Sequence, residues 1–106
     1  MASVKELFDA VAEHIVATDE RVQVGKIFHS EGLKTNEKYF AFTRRDDLVV
    51  KLPEERVAQL IAEGTGWPFD AGKGRPMREW VILRPRDRAT CTRHVGEALA
   101  FMTSTK

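Results

Sequence analysis

Cys91 and His94 stand three residues apart, the spacing at which two side chains share one face of a helix, and both residue types can ligate a metal. His14 and His29 are the other imidazoles that could converge on such a half-site. No CxxC or HxxxH pairing accompanies it, so the pattern does not support a metal centre, and none is expected. Nucleophilic catalysis would need a Ser, Thr or Cys beside a base. Cys91 is the single thiol, and it falls on an apolar helical stripe with Val95, Ala98, Leu99 and Met102. Burial there raises a thiol pKa and silences it. The hydroxyls lack the tight Gly-flanked turn of a nucleophile elbow. The adjacent acids Asp46-Asp47 and Glu54-Glu55 could in principle divide acid and base roles. Turn chemistry accounts for the first pair and helix-start electrostatics for the second. The expectation is therefore a protein with no catalytic residues and no cofactor.

The cations carry a stronger signal. Residues 73–93 hold Lys73, Arg75, Arg78, Arg84, Arg86, Arg88 and Arg93 against Glu79 and Asp87, a local charge of +5 in a chain whose net charge is +1. Such asymmetry can draw an anionic partner, although solvated arginines paired with acids elsewhere would give the same count. Gly72-Lys73-Gly74-Arg75 offers free backbone and two cations to a phosphate but lacks the third glycine of GxGxxG. In an extended strand Arg78, Trp80, Ile82 and Arg84 point to one side, and Glu79, Val81 and Leu83 to the other. If Val81 and Leu83 meet the core, Trp80 lies between arginines on an open sheet face. The alternatives are that Trp80 turns into the helix layer or is covered by residues 30–37. The candidate interaction residues are thus Lys73, Arg75, Arg78, Trp80 and Arg84.

The elements that must position these residues follow from periodicity. Val4, Leu7, Phe8, Val11 and Ile15 repeat at helical spacing, with Ser3 and Glu6 forming a capping box. Strands are expected at 22–28, 38–43 and 48–52, the last two joined by a tight hairpin over 44–47. Gly32 and Lys34-Thr35-Asn36-Glu37 read as a loop. Pro53 opens a second helix with a stripe of Val57, Leu60 and Ile61, closed by Gly64 and Gly66. Residues 67–70 form a short edge strand containing Pro68, and 78–83 a fifth strand. Asp87 caps a last helix, within which Gly96 costs up to about 1 kcal/mol relative to Ala. The order is α-β-β-β-α-β-β-α. The fold class is α+β, two-layered, with a five-stranded antiparallel sheet covered by helices on one face. The segments 30–37, 70–76 and the tail 103–106 are expected to be the flexible parts.

A chain of 106 residues, 42% hydrophobic and 31% charged, forms one domain over 1–106. One cysteine excludes an internal disulfide, and neither a signal-peptide run nor a membrane-length apolar stretch is present. A cytoplasmic protein is expected.

Several segments together resemble the N-terminal domain of the TfoX/Sxy family, named for bacterial competence regulators. They are Gly25-Lys26-Ile27-Phe28, Gly32-Leu33, Tyr39-Phe40-Ala41, Leu48-Val49-Val50-Lys51-Leu52-Pro53 and, most specifically, Gly74-Arg75-Pro76-Met77-Arg78-Glu79-Trp80-Val81. The resemblance spans about residues 4–102. It implies an α+β fold with a five-stranded antiparallel sheet under helices, and a role in transcriptional regulation or protein interaction. The architecture is similar to that of MmcQ/YjbR domains and type III secretion chaperones. His29-Ser30 stands where the family often has a glycine pair, and the family's helical C-terminal domain has no counterpart in these residues. The expected function is therefore a non-enzymatic interaction or regulatory domain, binding a protein partner or a second copy. The alternatives are a nucleic-acid-associated regulator using the basic segment 73–93, and a small-ligand site between the 30–37 and 70–76 loops.

Overall fold

The computed structural model describes residues 3–27, 30–69 and 78–104. Its elements run α1 (Val4–Thr18), β1 (Val22–Ile27), β2 (Ser30–Thr35), β3 (Lys38–Arg44), β4 (Asp47–Lys51), α2 (Glu54–Ala62), β5 (Gly66–Pro68), β6 (Trp80–Leu83) and α3 (Arg88–Ser104). The strands form one open sheet in the order β1-β2-β3-β4-β6-β5, with every neighbouring pair antiparallel.

The α+β class and antiparallel sheet match the expectation, but the sheet has six strands where five were expected. The added strand, β2, lies in the segment read as a loop. Its sequence Ser30-Glu31-Gly32-Leu33-Lys34-Thr35 is polar and holds a glycine, so strand propensity is weak. Two neighbours decide its state: β2 pairs with β1 on one side and β3 on the other. Asn36 (φ 53°) and Glu37 (φ 63°) make a two-residue turn into β3, the left-handed backbone that tight hairpins require. The edge strand expected over 67–70 is β5 at one margin of the sheet, shifted to begin at Gly66. The strand expected over 78–83 is shortened to Trp80–Leu83, with Arg78 and Glu79 in the preceding turn.

The helices start where the sequence placed them. Ser3 Oγ accepts from the Glu6 amide at 3.1 Å, and Glu6 Oε1 accepts from the Ser3 amide at 3.3 Å. Asp46, in the β3–β4 turn, adds its Oδ1 to the Val4 amide at 3.1 Å. The start of α1 is thereby tied to a hairpin 42 residues away. Asp87 Oδ1 accepts from the Thr90 amide at 2.7 Å at the start of α3. Arg56 of α2 and Glu97 of α3 form a two-armed ion pair at 3.0 and 3.2 Å, joining the two helices with the planar fork that suits a carboxylate. Gly64, at φ 79°, ends α2. Ile61, assigned to the buried stripe of α2, is exposed, and Val57 and Leu60 alone carry that stripe.

The main core gathers Leu7, Phe8, Val11 and Ile15 of α1, Val57 and Leu60 of α2, and Cys91, Val95 and Ala98 of α3. They meet Leu33, Ala41, Leu48, Val50, Val81 and Leu83 of the sheet. The register places Leu33, Ala41, Val50 and Val81 in one cross-strand row and Leu48 beside Leu83 in the next. Alternation then sends their strand neighbours to the opposite face.

Candidate interaction face

The opposite face has its own apolar cluster of Phe42, Val49 and Phe69, with Ile27, Trp80 and Ile82 packed against it. Phe42, Val49 and Ile82 form its central row. Phe42 meets Phe69 edge-on at 5.8 Å and Trp80 at 5.6 Å, and Phe69 lies 6.3 Å from Trp80. These are separations at which aromatic pairs attract. Val81 and Leu83 belong to the main core, so Trp80 lies on the face away from it, the first of the arrangements left open by the sequence. It is half-buried in an aromatic trio, so it is neither freely exposed nor turned into the helices.

A bulge shapes this face. Leu33 pairs with Ala41 and Lys34 with Tyr39, which leaves Phe40 as the extra residue on β3. Phe40 is buried in the main core beside its neighbour Ala41, while Tyr39 lies across β1 and donates its hydroxyl to the Lys26 carbonyl at 2.9 Å. A methyl group at Gly25 would collide with the Tyr39 hydroxyl, and at Gly32 one would come within 2.8 Å of Ile27 Cγ2. The two glycines pair with each other in the register; Gly25 leaves room for the tyrosine ring and Gly32 for the Ile27 side chain.

Cations from four adjacent strands or strand ends share the face. Lys34 Nζ lies 5.8 Å from the Tyr39 ring centre, and the Arg44 guanidinium lies 5.8 Å from that of Phe69. Lys51 Nζ is 6.0 Å from Trp80, and the Arg84 guanidinium is 4.9 Å from Trp67. Each is within cation–π range. Arg84 also donates to Asp47 Oδ1 at 2.6 Å. Among the described residues, Lys34, Arg44 and Lys51 form no ion pair. Trp67, on edge strand β5, is 43% exposed.

The sequence-derived candidates are only partly brought together. Trp80 and Arg84 share the face. Arg78 sits in the turn before β6, 81% exposed and 3.8 Å from Glu54. Lys73 and Arg75 lie outside the described residues, as does the whole 70–76 segment of the proposed ligand site. Arg88 and Arg93 belong to α3, which packs on the other face, so the basic segment does not form one patch. Lys34, Arg44 and Lys51 were missed because Lys34 reads as part of a loop, Arg44 as part of a hairpin turn and Lys51 as a lone cation at the end of a strand. Their common signal is parity with Gly32, Phe42 and Val49, readable only once the register is known.

The residues weighed for chemistry have structural surroundings. Cys91 is fully buried and its thiol is pushed up to about 11 by burial. His94 is 7% exposed, its Nδ1 has no hydrogen-bond partner, and burial lowers its pKa from 6.5. Arg93 and Arg56 add to that lowering, and Glu97 opposes it. His14 is exposed on α1, and His29 lies outside the described residues. No group of three metal-ligating side chains occurs among the described residues. Asp46 caps α1 and Asp47 holds Arg84, so the acid pair is engaged in architecture. A groove of about 410 Å³ between α1 and β1–β2 has Phe8, Ala12, Val16, Val24 and Leu33 along it, with Asp9, Glu13 and Glu31 among its lining. That lining pairs no nucleophile with a base. Among the described residues no helix is long and apolar enough to cross a membrane.

No family model, curated protein or solved structure matches the chain.

Proposed function

We propose that this chain is a non-enzymatic interaction domain of regulatory type, resembling the N-terminal domain of TfoX/Sxy regulators. It engages a protein partner or a second copy of itself at the β5 edge of the sheet. The observation that supports this reading is Trp67, a large exposed aromatic on the terminal strand of the sheet, beside Arg84 and the half-buried Trp80. Trp and Arg are the side chains most often found at the energetic centres of interfaces. Pro68 removes a backbone donor from this edge, so recognition runs through side chains more than through added strand pairing.

Light scattering on the purified protein, alone and with candidate partners, tests the reading. Trp67→Ala is expected to weaken association while leaving the melting temperature within a few degrees of the parent, because Trp67 contributes little to either apolar cluster. Unchanged association in Trp67→Ala would remove the β5 edge from the interaction surface.

A further inference from the structure

The geometry points to a single-stranded nucleic acid as the partner of the sheet face opposite the helices, held by Lys34, Arg44, Lys51 and Arg84. This goes beyond the interaction reading, which places a protein partner or a second copy at the β5 edge: here a polyanion occupies the sheet face beside that edge.

Charge is the first argument. Among the described residues the face presents four cations and one paired acid, Asp47. The net surplus of three is contributed by separate strands. The exposed sides of α1 and α2 are net acidic, with Glu6, Asp9, Glu13, Glu54 and Glu55 against Lys5 and Arg56. A polyanion approaching this molecule is steered to the sheet face and away from α1 and α2.

Placement is the second argument. Arg44, Asp47 and Arg84 stand in one cross-strand row. Lys51 stands opposite Trp80, and Lys34 opposite Tyr39, towards the other end of β3 and β4. Asp47 and Lys51 are four residues apart on β4, so the two cation groups lie about 13 Å apart along the strands. A chain with repeating phosphates can bridge both groups, whereas a single phosphate cannot.

Aromatic side chains lie among these cations. Trp67, Trp80 and Tyr39 are exposed or half-buried beside these cations. Sequence-tolerant binding of single strands combines a cationic track with side chains on which bases stack, and arginine planes contribute to that stacking.

Both tryptophans of the chain lie on this face, so their fluorescence reports on it directly. The experiment is a titration of the full chain with a fluorescein-labelled oligo-dT of about 15 nucleotides, read by anisotropy and by tryptophan quenching, at several salt concentrations. The expected result is quenching together with a log K against log salt slope near −2.8 for four phosphate contacts. The slope should fall to about −1.4 in the Arg44→Gln/Lys51→Gln double variant. The helix-side control Arg93→Gln should bind as the parent does. Circular dichroism of the double variant confirms that it is folded. If it is not, Lys34→Gln and Arg84→Gln singly serve the same purpose, each lowering the slope by about 0.7.

Several results would overturn the proposal. They are no binding at low salt, binding without quenching, binding lost in Arg93→Gln and kept in the double variant, or binding of poly-glutamate in preference to the oligonucleotide. An oligonucleotide that fails to bind while light scattering still shows association through Trp67 removes the nucleic acid and leaves the interaction reading standing. Failure of both removes the face as a working surface.

Discussion

The two faces of this sheet are built from the same strands yet are held together by different physics. Towards the helices, Leu33, Ala41, Leu48, Val50, Val81 and Leu83 are covered by three amphipathic helices, and the contacts are mainly aliphatic, with Phe8 and Phe40 among them. On the other side the central row of Phe42, Val49 and Ile82 is covered in part by Phe69 and Trp80, and the margin consists of cations lying over rings. Aliphatic burial is non-directional and scales with area. Cation–ring contacts add about 0.5–1 kcal/mol each at exposed sites and leave the charge accessible to a partner. One face therefore supplies most of the burial that stabilises the fold, and the other couples modest stabilisation to cations at its margin.

The sharpest test of that contrast is a pair of large-to-small substitutions. Phe40→Ala, in the main core, should cost about 3–5 kcal/mol of unfolding free energy, whereas Trp80→Ala, half-buried on the other face, should cost about 1–3 kcal/mol. Urea denaturation measures both, and equal losses would dissolve the distinction between the faces.

A second effect is confined to the helix side. The folded-state pKa of His94 is lowered, so the folded protein resists protonation that the unfolded chain accepts. Stability is then fully present above pH 6.5 and declines as pH falls below it towards the lowered folded-state value. Melting temperatures between pH 7.5 and 5 should show this decline, and His94→Leu should remove its part of it. A parent-like slope in His94→Leu would assign the loss to carboxylates.

The smallest effect belongs to the cation face. Lys51→Gln should shift stability by no more than about 0.5–1 kcal/mol, because only one cation–ring contact is lost. A larger loss would mean that the face is structural throughout.

Legibility in sequence divides along the same line. The three helices were readable because their signals are local: the Ser3/Glu6 box, Pro53 with Glu54 and Glu55, and the Asp87 cap all act within one turn. Cys91 was correctly read as buried from its place on the apolar stripe of α3. β2 was not readable, because a polar strand with a glycine has no apolar alternation to betray it. Asn36-Glu37 is also a weaker hairpin signal than Asn-Gly. The β3 bulge was equally hidden, since Tyr39-Phe40-Ala41-Phe42 reads as a plain apolar run.

By itself, then, the sequence determined the α+β class, the starts of the helices and the β3–β4 hairpin. Each depends on periodicity or on a cap within a few residues. Only the tertiary structure decided which charges work together. Arg84 and Arg93 lie nine positions apart in one basic run, yet they belong to elements on opposite sides of the sheet. Lys34, Arg44, Lys51 and Arg84 span fifty positions and share one face. The physical reason is register: hydrogen-bonded pairing across strands sets which side chains become neighbours, and no local propensity encodes it.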